Sequence, residues 1–182
     1  MTFCQEMLDY QQLAVACHFG SASKMDINSY IRSVIESDEE YGNRIFEAHS
    51  NDLEVARAKI LEFIAVSFPD FQVNTKEALG ACRAELKRQI GLLLDGKIMP
   101  YSFCQFFNSM EVLLITDSEL APDDVDFLGD LYNCCDWCDD TWTVENSPHL
   151  AEEVARVASE IDKAEQDATG NPLLDMLSLI HI

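Results

Sequence analysis

A chain of 182 residues is long enough to bury a sizeable core, and its 48% hydrophobic and 9% aromatic content argues against both a disordered and a membrane-embedded polymer. Charge is the unusual quantity: 33 acidic against 12 basic side chains give a formal net of −21, a field that repels nucleic acid and anionic lipid and draws in basic proteins. It is lopsided, with 15 acids and 10 bases over residues 1–100 but 18 acids and only Arg156 and Lys163 over 101–182, so the negative field belongs to the second half. Solubility alone is the competing reason for such a charge.

In chain order, residues 2–19 hold Phe3, Met7, Leu8, Leu13, Val15 and Phe19 without an internal Gly or Pro, which predicts a helix that Gly20 ends. After a GSASK loop, Asp26 has the character of an N-cap, and Ile27, Tyr30, Ile31, Val34 and Ile35 form a helical stripe. A short helix follows from about Glu39 to Ala48. Ser50 or Asn51 can cap the next, in which Leu53, Ala56, Ile60, Leu61 and Ile64 recur at three- and four-residue steps up to Phe68 and the Pro69 stop. Asn74 and Glu77 have capping-box spacing and open a long helix through Leu79, Cys82, Leu86, Ile90, Leu93 and Leu94 to Gly96. Lys76, Arg83 and Lys87 lie on its polar side, the densest positive charge in the chain. The run LLLDGKIMPYSF resembles half of a calcium loop, but Gly91, Leu93 and Ser102 stand where carboxylates are needed, so it reads as a helix end and a turn.

Pro100 suits the first turn of a helix over roughly 100–115, with Phe103, Phe106, Phe107, Met110, Leu113 and Leu114 mostly inward. Residues 122–140, PDDVDFLGDLYNCCDWCDD, then divide into two faces at about 100° per residue. Asp123, Asp126, Asp130, Asn133, Trp137 and Asp140 fall on one face; Phe127, Leu128, Leu131, Tyr132, Cys134, Cys135 and Cys138 fall on the other, the buried one. An indole among carboxylates on an exposed face suits the grip of a basic partner, because desolvated aromatics supply affinity and charge supplies speed and selectivity. Trp142 follows in a loop as a second candidate. Ser147 caps and Pro148 starts a closing helix to about Asp167, with Leu150, Val154, Val157, Ile161 and Ala164 in a narrow stripe. The apolar tail 171–182 docks on the bundle, mediates a homodimer, or is a cloning or sequencing artefact.

No persistent period-two alternation is present. The expected fold is therefore all-α: a single helical domain over 1–170 of about seven to eight helices, with subregions 1–96 and 97–170, followed by the tail. No run reaches the roughly 18 apolar residues of a spanning helix, and no basic start with an apolar run opens the chain, so the expected location is a reducing cytoplasm.

The seven cysteines, at 4, 17, 82, 104, 134, 135 and 138, are odd in number, and several sit where periodicity puts core residues. Cys135 and Cys138 form C-x-x-C, with Cys134 a third sulfur. A zinc site would need a further ligand pair, and thioredoxin-type chemistry would need the motif to open a helix instead of closing one among carboxylates. Core packing is the preferred reading, and a thiol- or metal-dependent protein is retained as an alternative. His18, His49, His149 and His181 are scattered, phosphate-cradling glycine loops are missing, and no carboxylate pair is marked as a general acid. No catalytic residue, metal ligand or cofactor is expected.

One order of features spans about residues 87–165: an apolar helix, Asp95-Gly96-Lys97-Ile98, a helix with Phe103 and Phe106, an acidic segment, Phe127-Leu128-Gly129-Asp130-Leu131-Tyr132, and an amphipathic helix from Leu150 to Ile161. It resembles bacterial colicin-like immunity proteins. The resemblance implies a small, acidic, helical cytoplasmic protein that binds and blocks a basic toxin domain, often a nuclease. Asp123, Asp126, Asp130 and Asp140 would then meet toxin lysines and arginines around Trp137, with Tyr132 or Trp142 as further anchors. The expected partner is thus a basic protein, with no direct nucleic acid and no membrane. A mimic of nucleic acid that occupies basic DNA- or RNA-binding proteins in general is the alternative.

Overall fold

The computed structural model describes residues 8–37, 39–46, 49–111, 131–135 and 148–169, and the protein is all-α: no strand occurs among the described residues. The helices are α1 (Tyr10–His18), α2 (Lys24–Ser37), α3 (Glu39–Phe46), α4 (Leu53–Ser67), α5 (Leu79–Leu94, after a 3-10 turn over Lys76–Ala78), α6 (Pro100–Glu111) and α7 (Pro148–Thr169); residues 131–135 are also helical. The chain forms two compact units, Met1–Leu86 with Ser109–Ala121, and Lys87–Asn108 with Pro122–Ile182.

In the first unit α1 packs on α4 and α2, and α2 packs on α3 and α4. Leu13, Ala14, Val15, Ala16 and Cys17 are all buried. Five successive residues cover every side of a helix, so α1 is enclosed. Tyr10 stacks on Phe68 at 3.9 Å between ring centroids and meets the edge of Phe71. The helix begins later than the stretch 2–19 suggested, because the Asp9 side chain accepts a hydrogen bond from the Gln12 amide at 2.8 Å and so acts as N-cap; residues 2–7 lie outside those described.

Gly20 ends α1 with φ +73°. Ser21 N–H donates to Ala16 O and Gly20 N–H to Cys17 O, the paired bonds of a Schellman motif. Gly96 closes α5 in the same way, with φ +67°, Lys97 N–H on Leu92 O and Gly96 N–H on Leu93 O.

Three caps differ from those expected. At α2, Asp26 is the fourth member of a reciprocal box rather than the N-cap: its amide donates to Ser23 Oγ, while its carboxylate accepts from Ser23 N–H at 2.8 Å. At α4 the cap is Asp52, which accepts from Glu54 and Val55 amides; Ser50 instead accepts from the Asp52 amide. A 3-10 turn closed by Ala78 N–H on Thr75 O separates Asn74 from the start of α5. At α2 and α4 more than one nearby side chain could cap, and the path of the loop selects between them.

Ile27, Tyr30 and Ile31 of α2 are buried, but Ile35 is exposed, so the stripe runs out before the helix does. Gly42 of α3 explains the tight turn back: a Cβ there would lie 3.0 Å from the backbone Cα of Ile35. On α4 Ala56, Ile60 and Ile64 are buried as their spacing predicts, together with Phe63.

In the second unit Pro100 opens α6, which buries Phe103, Cys104, Phe106 and Phe107; the rings of Phe103 and Phe107 are stacked 6.5 Å apart. Ile90 and Leu93 of α5 are buried, whereas Leu94, assigned to the same stripe, is exposed. Pro148 opens α7, where Val154, Val157 and Ala158 are buried. Arg156 pairs with Glu153 one turn earlier at 2.6 Å, and that hydrogen bond holds the Glu153 carboxyl below the usual carboxylate range. Among the described residues no helix is long and apolar enough to cross a membrane.

Candidate functional site

Of the seven residues proposed to meet a partner, Asn133 is described; Asp123, Asp126, Asp130, Trp137, Asp140 and Trp142 lie outside the described residues. Around Asn133 the helical segment 131–135 has two faces. Leu131, Cys134 and Cys135 are buried and Asn133 is exposed.

Tyr132 corrects the sequence reading, which put it with the buried set: it is 41% exposed. Helix geometry supplies the reason. Leu131, Cys134 and Cys135 fall within about 100° of one another, and residue 132 is turned roughly 100° away from the middle of that arc. A phenol ring and a carboxamide therefore stand together at the surface, directly after Asp123, Asp126 and Asp130 in the chain.

The segment is tied down from beneath by α6. Asn108 Nδ2 donates to Cys135 O at 3.1 Å, and the Cys135 thiol lies 2.7 Å from the Cys104 sulfur. Asn108 Oδ1 is buried without a hydrogen-bond partner among the described residues. Cys17, Cys82, Cys104, Cys134 and Cys135 are buried thiols, as core packing requires; Cys4 and Cys138 fall outside the described residues. No group of three or more His, Cys, Asp or Glu side chains able to hold a metal occurs among the described residues.

A second polar cluster lies in the first unit. Glu85 of α5 is fully buried and accepts from Ser21 Oγ at 2.5 Å and from Gln12 Nε2 at 3.4 Å. Arg57 of α4 reaches the same loop, donating from Nη2 to Gly20 O and from Nε and Nη2 to Ala22 O. The guanidinium thus satisfies carbonyls of the loop that follows α1, and its positive charge near the C-terminal end of that helix complements the helix dipole. Burial pushes the Cys17 thiol beside them up to about 12, against a smaller opposing pull from Arg57, and burial likewise raises Cys82 to about 11. The cluster locks the α1–α2 connection. Sequence reading missed Glu85 and Gln89 as buried residues, yet the signal existed: 82, 85, 86, 89, 90 and 93 share one helical face.

Against known proteins, no family model, no curated protein and no solved structure matches the chain.

Proposed function

We propose that the chain is an acidic binding protein of the bacterial cytoplasm, an immunity or inhibitor protein that neutralises a basic toxin domain, such as a nuclease, by covering its active or substrate-binding surface. The observation that carries this reading is the exposed Tyr132–Asn133 pair, anchored from below through Leu131, Cys134 and Cys135, in the half of the chain whose net charge is −16. An aromatic anchor on a rigid support loses little side-chain entropy on binding, and surrounding carboxylates accelerate encounter with a cationic surface. A nuclease must hold phosphates with cations, so an oppositely charged protein competes for the place its substrate takes.

The test uses a toxin domain encoded beside this chain, coexpressed with it, and calorimetry on the purified pair. The native chain protects the cells, and Trp137→Ala, Tyr132→Ala and Asp130→Lys each weaken binding by about 10- to 100-fold. Unchanged affinity in all three would show that the surface is misassigned. Comparable binding to several unrelated basic proteins, collapsing as salt rises, would favour the nucleic-acid mimic instead.

A further inference from the structure

We propose that Cys104 and Cys135 form a redox-active dithiol, which a small peroxide converts to a disulfide that fastens the 131–135 helical segment to α6. The reading does not depend on the identity of any binding partner. Three observations carry it. The two sulfurs are 2.7 Å apart, and an approach of about 0.7 Å brings them to disulfide bonding distance. Asn108, one turn along α6 from Cys104, holds the Cys135 carbonyl at 3.1 Å and so fixes the backbone that presents the second sulfur. The two cysteines are 31 positions apart, and the intervening chain carries seven carboxylates and no lysine or arginine. Like charges along a chain repel one another, and a covalent tie across so long a loop restricts the unfolded chain.

The chemistry balances with hydrogen peroxide as the oxidant. One sulfur, as its thiolate, attacks a peroxide oxygen; the O–O bond breaks, and a sulfenic acid and water form after proton transfer. The second sulfur then attacks the first, the S–S bond forms, and the sulfenic oxygen leaves as a second water. The two sulfurs give up two electrons and two protons to the peroxide. The second step is intramolecular between atoms already in contact, so it outruns escape of the sulfenic acid to other fates. Cys104 and Cys135 are both fully buried, which favours a small oxidant over a bulky disulfide.

The experiment treats the reduced 182-residue chain with hydrogen peroxide and then blocks remaining thiols. Digestion at acidic residues is essential, because trypsin has no site between Lys97 and Arg156, whereas Glu111 and Asp130 separate Cys104 from Cys135. The expected product has lost two hydrogens, links the Cys104 peptide to Cys135 on fragmentation, and reverts with dithiothreitol. Cys134→Ser retains the link, and Cys104→Ser abolishes it. The cross-linked protein melts roughly 5–10 °C higher than the reduced form. A link from Cys104 to a different cysteine, over-oxidation without a link, or a complete link with no rise in melting temperature would each overturn the proposal. The wild-type peptide map decides the matter even if a serine variant fails to fold.

Discussion

Glu85 ties α5 to α1 and to the loop that follows it, since its fully buried carboxyl group accepts from Gln12 and Ser21, and a buried polar group is tolerated when it is hydrogen-bonded. Glu85→Ala takes a hydrogen-bond acceptor away from Ser21 and Gln12 and removes core volume, so urea denaturation should register a loss of about 2–4 kcal/mol. Glu85→Gln keeps the shape and should cost less; equal losses would mean that volume, and not hydrogen bonding, sets the penalty. Titration of buried groups gives a second expectation. Burial raises Cys17 from 9.0 to about 12, Cys82 from 9.0 to about 11 and Tyr30 from 10.0 to about 12. Each is neutral when protonated, so the folded state holds protons that the unfolded state has released above pH 9 to 10. Their stabilising effect is whole below pH 9 and is eroded as pH climbs towards 11 to 12. Melting temperature should fall steadily from pH 9 to pH 11, and a flat profile over that window would contradict the burial of these groups.

At the scale of the element, the glycines separate close packing from helix propensity. Gly42 lies where α3 crosses α2, with no room for a Cβ beside Ile35, so Gly42→Ala should destabilise by about 1–3 kcal/mol. Gly91 sits within α5, where an added methyl would meet no atom within 4 Å, and Gly91→Ala should stabilise by roughly 0.5–1 kcal/mol. Paired thermal melts of the two variants check the signs; equal signs would show that the backbone beside Gly42 yields more readily than the 3.0 Å from a Cβ there to the Ile35 Cα implies. Gly20 and Gly96 have a different duty, since their positive φ angles complete Schellman motifs.

For the molecule as a whole the governing quantity is a net charge of −21. Like charges at this density oppose compaction, and salt screens them over about 8–10 Å at physiological ionic strength. Raising sodium chloride from low concentration to about 0.5 M at pH 7 should therefore raise the melting temperature while slowing association with a basic partner. A protein stabilised mainly by its surface ion pairs, such as Arg156–Glu153, would show the opposite change in melting temperature.

Helix content, the Pro100 and Pro148 starts, the Gly20 and Gly96 ends and most of the apolar stripes were legible in the residues, because proline, glycine and three-to-four spacing act within one or two turns. The caps of α2 and α4 were misplaced by one to three residues, since adjacent Ser, Asn and Asp compete for the same amides and loop geometry decides among them. Whether a side chain at the margin of an apolar arc is covered depends on the neighbouring helix, which no local pattern contains: this left Ile35 exposed, whereas the helical angles of Tyr132 and Glu85 were there to be read. Composition fixed the charge outright. Only tertiary structure could bring Cys104 to Cys135, or Arg57 to Ala22, because contacts between residues 31 and 35 positions apart are set by how helices pack and leave no periodic trace in the chain.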